Sequence, residues 1–407
     1  MLHAAYSKRP LGLLAIQAVN LVTGFWIPLP PFNFSSIYTP YFVAYEWILN
    51  LGLIFHLLYS QLNDIVSYTE MLSKDLISFL GIYVYTVAFI QSTIRSMLFS
   101  SNKSKLIKIL ESLQSLIDRR IFRQFQAKIL KSSPNKPIKT IVIIFVGYCI
   151  IQTANVVNLF MNPNYTTKIT HHNSSDFDAR VYMLQQKTRE FDFFLKTVFN
   201  TVVATISILK LLSTDVLMLT ILNLVTEELI LLKNSIKNAI YVNNSNKNII
   251  RNNDNLDLGA WIDFQQTLAR ILGNINSFSF VYTSIMIGIN ASNMCLMAYI
   301  CTKLVSHSSL IVAVLAGYCF LIVIQTFLYC EAGHRLKQQG EGISEAVCRI
   351  PWLRTQPYLV PGLQLLVQDC SRSFVVRIGP FFTLSMEFFS SLIGVVLTYF
   401  IVLVQFN

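Results

Sequence analysis

Long apolar runs, nearly free of charge and separated by short polar segments, are the dominant pattern along this chain. Leu76–Ile94, Thr140–Thr167, Ile271–Thr302 and Leu304–Cys330 contain no Asp, Glu, Lys or Arg. A helix needs about 20 mainly apolar residues to cross a bilayer, and these runs meet that length. Three further runs carry isolated charges: Tyr41–Ser60 with Glu46, Phe191–Val225 with Asp192, Lys196, Lys210 and Asp215, and Phe381–Val404 with Glu387. The pattern predicts an all-α membrane protein with seven transmembrane helices. In the fourth run, Lys196 and Lys210 are fourteen residues apart, about 21 Å along a helix. At that spacing each ammonium is expected to snorkel toward an opposite interface.

Polar stretches divide the chain further. Residues 1–40 form an N-terminal segment on the inner membrane face, in which Pro10 to Pro31 carries no charge. A spanning helix there would reverse every later loop, and Pro28, Pro30 and Pro31 would break it, so Leu11–Val22 is expected to lie in the inner leaflet. Residues 41–330 hold the first six helices, 331–378 form a polar, helix-compatible cytosolic anchor punctuated by Pro351, Pro357 and Pro361, and 379–407 form the last helix. The Asn-rich stretch from Tyr241 to Asn255 favours a loop.

Composition agrees with a lipid environment: 53% of residues are hydrophobic and 13% charged, against roughly 25% charged in soluble domains. The net charge of +11 suggests nucleic acid until the cations are placed on the spans. Twenty-three of the 32 lysines and arginines fall on the N-terminal side, six on the other, and Arg95, Lys196 and Lys210 lie in or at the ends of spans. Ten of them, from Lys103 to Lys139, share one loop with only Glu111 and Asp118. Positive-inside asymmetry therefore predicts a cytosolic N-terminus, an extracellular C-terminus and no nucleic-acid partner. Sequons at Asn164 and Asn173 fall in the outer loop between spans three and four, as candidate glycosylation sites. None of the seven cysteines falls in a predicted outer loop, so no disulfide framework is implied.

Enzyme motifs are missing. Gly340-Glu341-Gly342 begins like a nucleotide loop, but Glu345 stands where the third glycine belongs. No Gly-x-Ser-x-Gly elbow, Walker loop or Cys-x-x-Cys pair occurs, and His171-His172 sits among polar residues of an outer loop. No metal site and no cofactor are expected.

Three stretches carry a family resemblance: Gly24-Phe25-Trp26-Ile27-Pro28 ahead of the first span, Leu336-Lys337-Gln338-Gln339 with Ile343, Ala346 and Trp352, and Arg377-Ile378-Gly379-Pro380-Phe381-Phe382-Thr383-Leu384-Ser385 leading into the last span. Together with the span order, the chain resembles an insect odorant receptor. Its ending, Thr398-Tyr399 followed by Gln405-Phe406, is similar to the signature of the sister gustatory receptors. The resemblance implies a tetrameric ligand-gated cation channel whose last helix lines a central pore. Its partners would be a small volatile ligand, the shared odorant co-receptor, membrane lipid and permeating cations, at the plasma membrane of a sensory dendrite. A homomeric gustatory channel is the alternative. A G-protein-coupled receptor, the rival from another class, requires the opposite N-terminal orientation.

The resemblance places the ligand pocket in the outer halves of spans two, three, four and six, where Tyr83, Tyr85, Gln152, Asn155, Phe194, Phe199 and Tyr318 offer aromatic walls and polar handles. Small and polar residues in the last span, Ser390, Ser391, Gly394, Thr398 and Gln405, suit either a wet pore face or close helix packing. Thr398, Val402 and Gln405 recur at helical spacing and, with Phe406, are the candidate gate. Glu387 is either a cation-attracting carboxylate or the ion-pair partner of Arg372 or Arg377. Glu46 is a costly intramembrane carboxylate.

Overall fold

The computed structural model describes residues 39–56, 76–118, 147, 176–245, 258–304, 309–350, 360–378 and 382–405. The N-terminal segment to residue 38, the third span apart from Gly147, Gln152, Asn155, the sequons at Asn164 and Asn173, and Phe406 lie outside the described residues.

Eight helices are described: α1 (Thr39–His56), α2 (Leu76–Ser101), α3 (Lys103–Asp118), α4 (Asp176–Ser245), α5 (Leu258–Leu304), α6 (Ser309–Cys348), α7 (Val360–Ser373) and α8 (Met386–Gln405). Two short strands, β1 (Arg377–Ile378) and β2 (Phe382–Thr383), pair antiparallel just before α8. The predicted all-α membrane class holds. Among the described residues, Thr205–Lys237, Leu258–Ile300, Leu315–Cys348 and Met386–Gln405 are long and apolar enough to span a bilayer.

Several helices outrun the apolar runs that revealed them. The 70 residues of α4 contain neither Pro nor Gly, so nothing in the chain breaks the helix as it leaves the apolar core. Helix α6 continues past Cys330, where polarity rises, and ends at Cys348 just ahead of Pro351. The boundary expected at residue 330 thus falls within one rigid element. The first part of the cation-rich loop is likewise structured: α3 buries Leu106, Ile109, Leu113 and Leu116 and turns Lys105, Lys108 and Glu111 outward. Asn102 separates it from α2 and donates its side-chain amide to the Leu98 carbonyl at 2.9 Å.

One apolar core joins these elements. Phe99, Leu106 and Ile109 meet Ile221, Leu222, Val225 and Leu229 of α4, Leu268, Leu272 and Ile275 of α5, Leu336 and Ile343 of α6, and Leu363 and Leu366 of α7. Helix α7 is amphipathic, and the Ser344 hydroxyl donates to the Val367 carbonyl at 3.1 Å. Helix α8 lies on the outside of this core, with none of its residues buried.

The last helix starts five residues later than its apolar run. Phe382 and Thr383 are in β2, and the Ser385 hydroxyl accepts from the Phe388 N–H at 3.2 Å. A serine that satisfies one of the otherwise unpaired first-turn N–H groups fixes a helix start.

Candidate functional site

Four helices converge on one buried carboxylate. Asp215, midway along α4, accepts from Arg95 of α2 with Nη1 at 3.0 and 3.1 Å from its two oxygens. The Tyr282 hydroxyl of α5 donates to Asp215 at 2.7 Å, the Tyr329 hydroxyl of α6 donates at 2.8 Å, and the Gln325 side-chain amide donates as well. The Arg95 and Asp215 side chains are 1% and 6% exposed, which places the ion pair wholly inside the protein. The guanidinium also lies 5.5 Å from the Tyr282 ring centroid, within cation–π range. Phe99 flanks the site, packing edge-on against Phe278 and Tyr282.

An isolated charge at membrane depth is expensive, and the partners explain how this one persists. The carboxylate and guanidinium neutralise each other, and three neutral donors add hydrogen bonds to the same two oxygens. Such an arrangement has narrow geometric tolerance, because moving any one helix leaves a buried polar group without its bond. The polar seam continues as Gln91 donates to Asn290 at 2.9 Å and the Asn290 amide donates to Thr326 at 3.2 Å.

A second buried cation ties α1 to the bundle. Lys210 Nζ donates to Asn50 Oδ1 at 2.6 Å, and the Ser96 hydroxyl donates to the same oxygen at 2.8 Å. Lys210 is 3% exposed, so the expected snorkelling does not occur. The neighbouring Asn50 and Ser96 supply polar contacts where the sequence offered only an apolar run.

The network was not among the expected site residues, although Arg95 and Asp215 were visible as charges at or within spans. Their mutual partnership spans 120 residues of sequence, and no local spacing reveals it. Of the expected pocket residues, Tyr83 and Tyr85 lie on α2 and Phe194 and Phe199 on α4. Tyr318 is half-buried on α6, packed beside Met297 and Ile300 of α5.

Helix α8 has two distinct faces. Phe389 and Leu392 pack on the core, and Phe389 meets the Phe327 ring edge-on at 5.5 Å. At about 100° per residue, Val396 and Phe400 extend that inward stripe, and both are half-buried. Directly opposite lie Glu387, Ser391, Gly394, Thr398, Val402 and Gln405, all exposed. The Ser391 and Thr398 hydroxyls donate back to Glu387 and Gly394 carbonyls at 3.0 and 2.9 Å. Thr398, Val402 and Gln405 therefore share one outward face, as their spacing predicts.

Backbone contacts lead from the bundle into α8. The Asn276 amide of α5 donates to the Val375 carbonyl at 2.9 Å, and its Oδ1 accepts from the Arg377 N–H at 3.2 Å. The Leu384 N–H then donates to the Val376 carbonyl at 2.8 Å. Helix α6 touches the same turn: a Cβ at Gly333 would lie 2.6 Å from the Leu384 carbonyl oxygen. Only glycine admits so close an approach.

Comparison with known proteins agrees with this architecture. The chain is similar in fold to the insect olfactory receptor OR5 from Machilis hrabei, with a TM-score of 0.71 at 17% identity, covering 97% of this chain and 98% of that one. The same receptor in complex with eugenol aligns with a TM-score of 0.70 at 16% identity over 97% of both chains. In sequence, the chain is 27% identical to the odorant receptor coreceptor of Aedes aegypti over 36% of its own length and 30% of that protein's length. It is 32% identical to the Anopheles gambiae coreceptor over 27% of its length and 23% of that protein's. The matched stretch thus spans less than a third of either coreceptor. The 7tm odorant receptor family model matches residues 75–397, and the chain belongs to that family of seven-helix chemoreceptors.

Proposed function

We propose that this chain is the odour-sensing subunit of a tetrameric, ligand-gated cation channel in the plasma membrane of a sensory dendrite, assembled with the odorant co-receptor. The observation that carries the reading is the outward stripe of α8. Glu387, Ser391, Gly394, Thr398 and Gln405 face away from the chain's own bundle along a helix whose other side chains are apolar apart from Ser390 and the Tyr399 hydroxyl. Lipid has no need of such a stripe, whereas hydrated cations do. Four copies around an axis would close the stripes into a conduit, with Glu387 drawing cations at the inner mouth and Val402 and Phe406 closing the outer one by dewetting.

The charge asymmetry supports a cytosolic N-terminus and an extracellular C-terminus. Residues 331–378 are proposed to hold the subunits together below the membrane. Eugenol in the solved relative supports a small volatile ligand, received among Tyr83, Tyr85, Gln152, Asn155, Phe194, Phe199 and Tyr318. Outer-loop glycans at Asn164 and Asn173 fit this orientation.

Expression with and without the co-receptor, read as current during an odour and sugar panel, tests the reading. Odour-evoked cation current that requires the co-receptor supports it. Robust current from this chain alone favours the homomeric gustatory alternative suggested by Thr398-Tyr399 and Gln405-Phe406. Absence of any current through either assembly refutes the channel function.

A further inference from the structure

Helix α5 carries two polar contacts that point to different parts of the molecule. Tyr282 donates to Asp215 inside the bundle. Asn276, six residues earlier and about 9 Å along the axis, holds the chain that leads into α8 through both ends of its amide. A helix is stiff over that distance, so a displacement of Tyr282 relative to Asp215 moves Asn276 with it. The hydrogen bonds then run without a gap: Asn276 to Val375 and Arg377, Val376 to Leu384, and Ser385 to the first turn of α8. Helix α6 runs parallel to this link, since Tyr329 at the ion pair and Gly333 against Leu384 are one turn apart.

We infer that Asn276 is a positioning residue that transmits movement of the buried Asp215 network to the last helix. The inference rests on the channel reading above. An amide suits this role because it pairs with a peptide as another strand would, one donor to a carbonyl and one acceptor to an N–H. A purely apolar contact at the same place would allow β1 to slide along α5. The paired amide fixes its register.

The test measures current per surface receptor, with the co-receptor co-expressed, for wild type, Asn276→Ala, Asn276→Asp, Tyr282→Phe and the Asn276→Ala/Tyr282→Phe double variant. The agonist is the strongest of eugenol, octanol and short-chain esters on the wild type. Asn276→Asp keeps the shape and the acceptor for Arg377 but loses the donor to Val375, so it serves if the alanine variant fails to reach the surface. The expected result is a fall of about tenfold in evoked current per receptor for either Asn276 variant. Single-channel conductance and agonist binding should stay within about twofold of wild type. Tyr282→Phe should lower the current in the wild-type background and add less than about twofold in the Asn276→Ala background.

A purely structural asparagine would lower surface abundance and leave current per receptor unchanged in both variants, and that result overturns the inference. So does a Tyr282→Phe effect that multiplies independently with the Asn276 effect. Failure of the channel reading is distinguishable because it shows before any substitution, as wild-type receptor at the surface with neither evoked nor ligand-free current.

Discussion

Replacing Asp215 with Asn keeps the shape of the side chain and an oxygen that accepts from Tyr282 and Tyr329, but removes the charge that neutralises Arg95. The charge therefore dominates the effect. Removing one partner of a buried ion pair typically costs about 3–5 kcal/mol, whereas a single interhelical hydrogen bond in a membrane protein contributes only about 0.6 kcal/mol on average. At roughly 2–4 °C per kcal/mol for larger domains, Asp215→Asn should lower the unfolding midpoint of detergent-solubilised receptor by about 6–20 °C. Tyr329→Phe, which removes one hydroxyl and leaves the ion pair, should lower it by no more than about 4 °C. Adding Arg95→Gln to Asp215→Asn removes the uncompensated cation, and the double variant should regain at least about half of the lost stability. Thermal unfolding followed by size-exclusion fluorescence measures wild type, the single variants Asp215→Asn, Arg95→Gln and Tyr329→Phe, and the double variant. An Asp215→Asn midpoint within about 2 °C of wild type, or a double variant as unstable as the sum of the two singles, would refute the argument that charge neutralisation holds these helices together.

Three further outcomes are expected. Gly333→Ala brings a methyl group onto the Leu384 carbonyl and should reduce ligand-evoked current more than ligand binding, as seen by parallel current and binding measurements. Replacing Tyr83, Phe199 or Tyr318 with Ala should shift the activating odour concentration by at least about threefold at unchanged surface expression; no shift from any of the three places the pocket elsewhere. A tag at the N-terminus should label only after permeabilisation and one at the C-terminus on intact cells, and the reverse pattern would revive a G-protein-coupled orientation.

Much of this architecture is written in the sequence because lipid is an unforgiving solvent. Apolar runs such as Ile271–Thr302 and Leu304–Cys330 favour a membrane; the first lies within α5, and the second from Ser309 onward lies within α6. Helix ends were harder to read. The rise in polarity at Glu331 marks a change of surroundings, while the backbone of α6 continues until Cys348 because no proline intervenes. Buried pairings were the least legible. Lys210 on its own suggests snorkelling, and only Asn50 and Ser96, brought in from α1 and α2, show why it stays inside. Arg95 and Asp215 announce a need for partners, but Tyr282, Gln325 and Tyr329 look like ordinary span residues until the helices are assembled. On α8, by contrast, the periodicity of Thr398, Val402 and Gln405 sufficed, since one helix in isolation determines which side chains share a face.

Cysteine accessibility along α8 tests the central claim most directly. Single cysteines are placed on the outward stripe at Glu387, Ser391, Thr398 and Gln405, and on the inward stripe at Phe389, Leu392, Val396 and Phe400. Each is exposed to a charged, membrane-impermeant thiol reagent while odour-evoked current is recorded. The account predicts current block at the four outward positions, faster when the channel is open, and no block at the four inward ones. Reaction without that helical periodicity, or block confined to the inward stripe, would contradict a pore lined by this face.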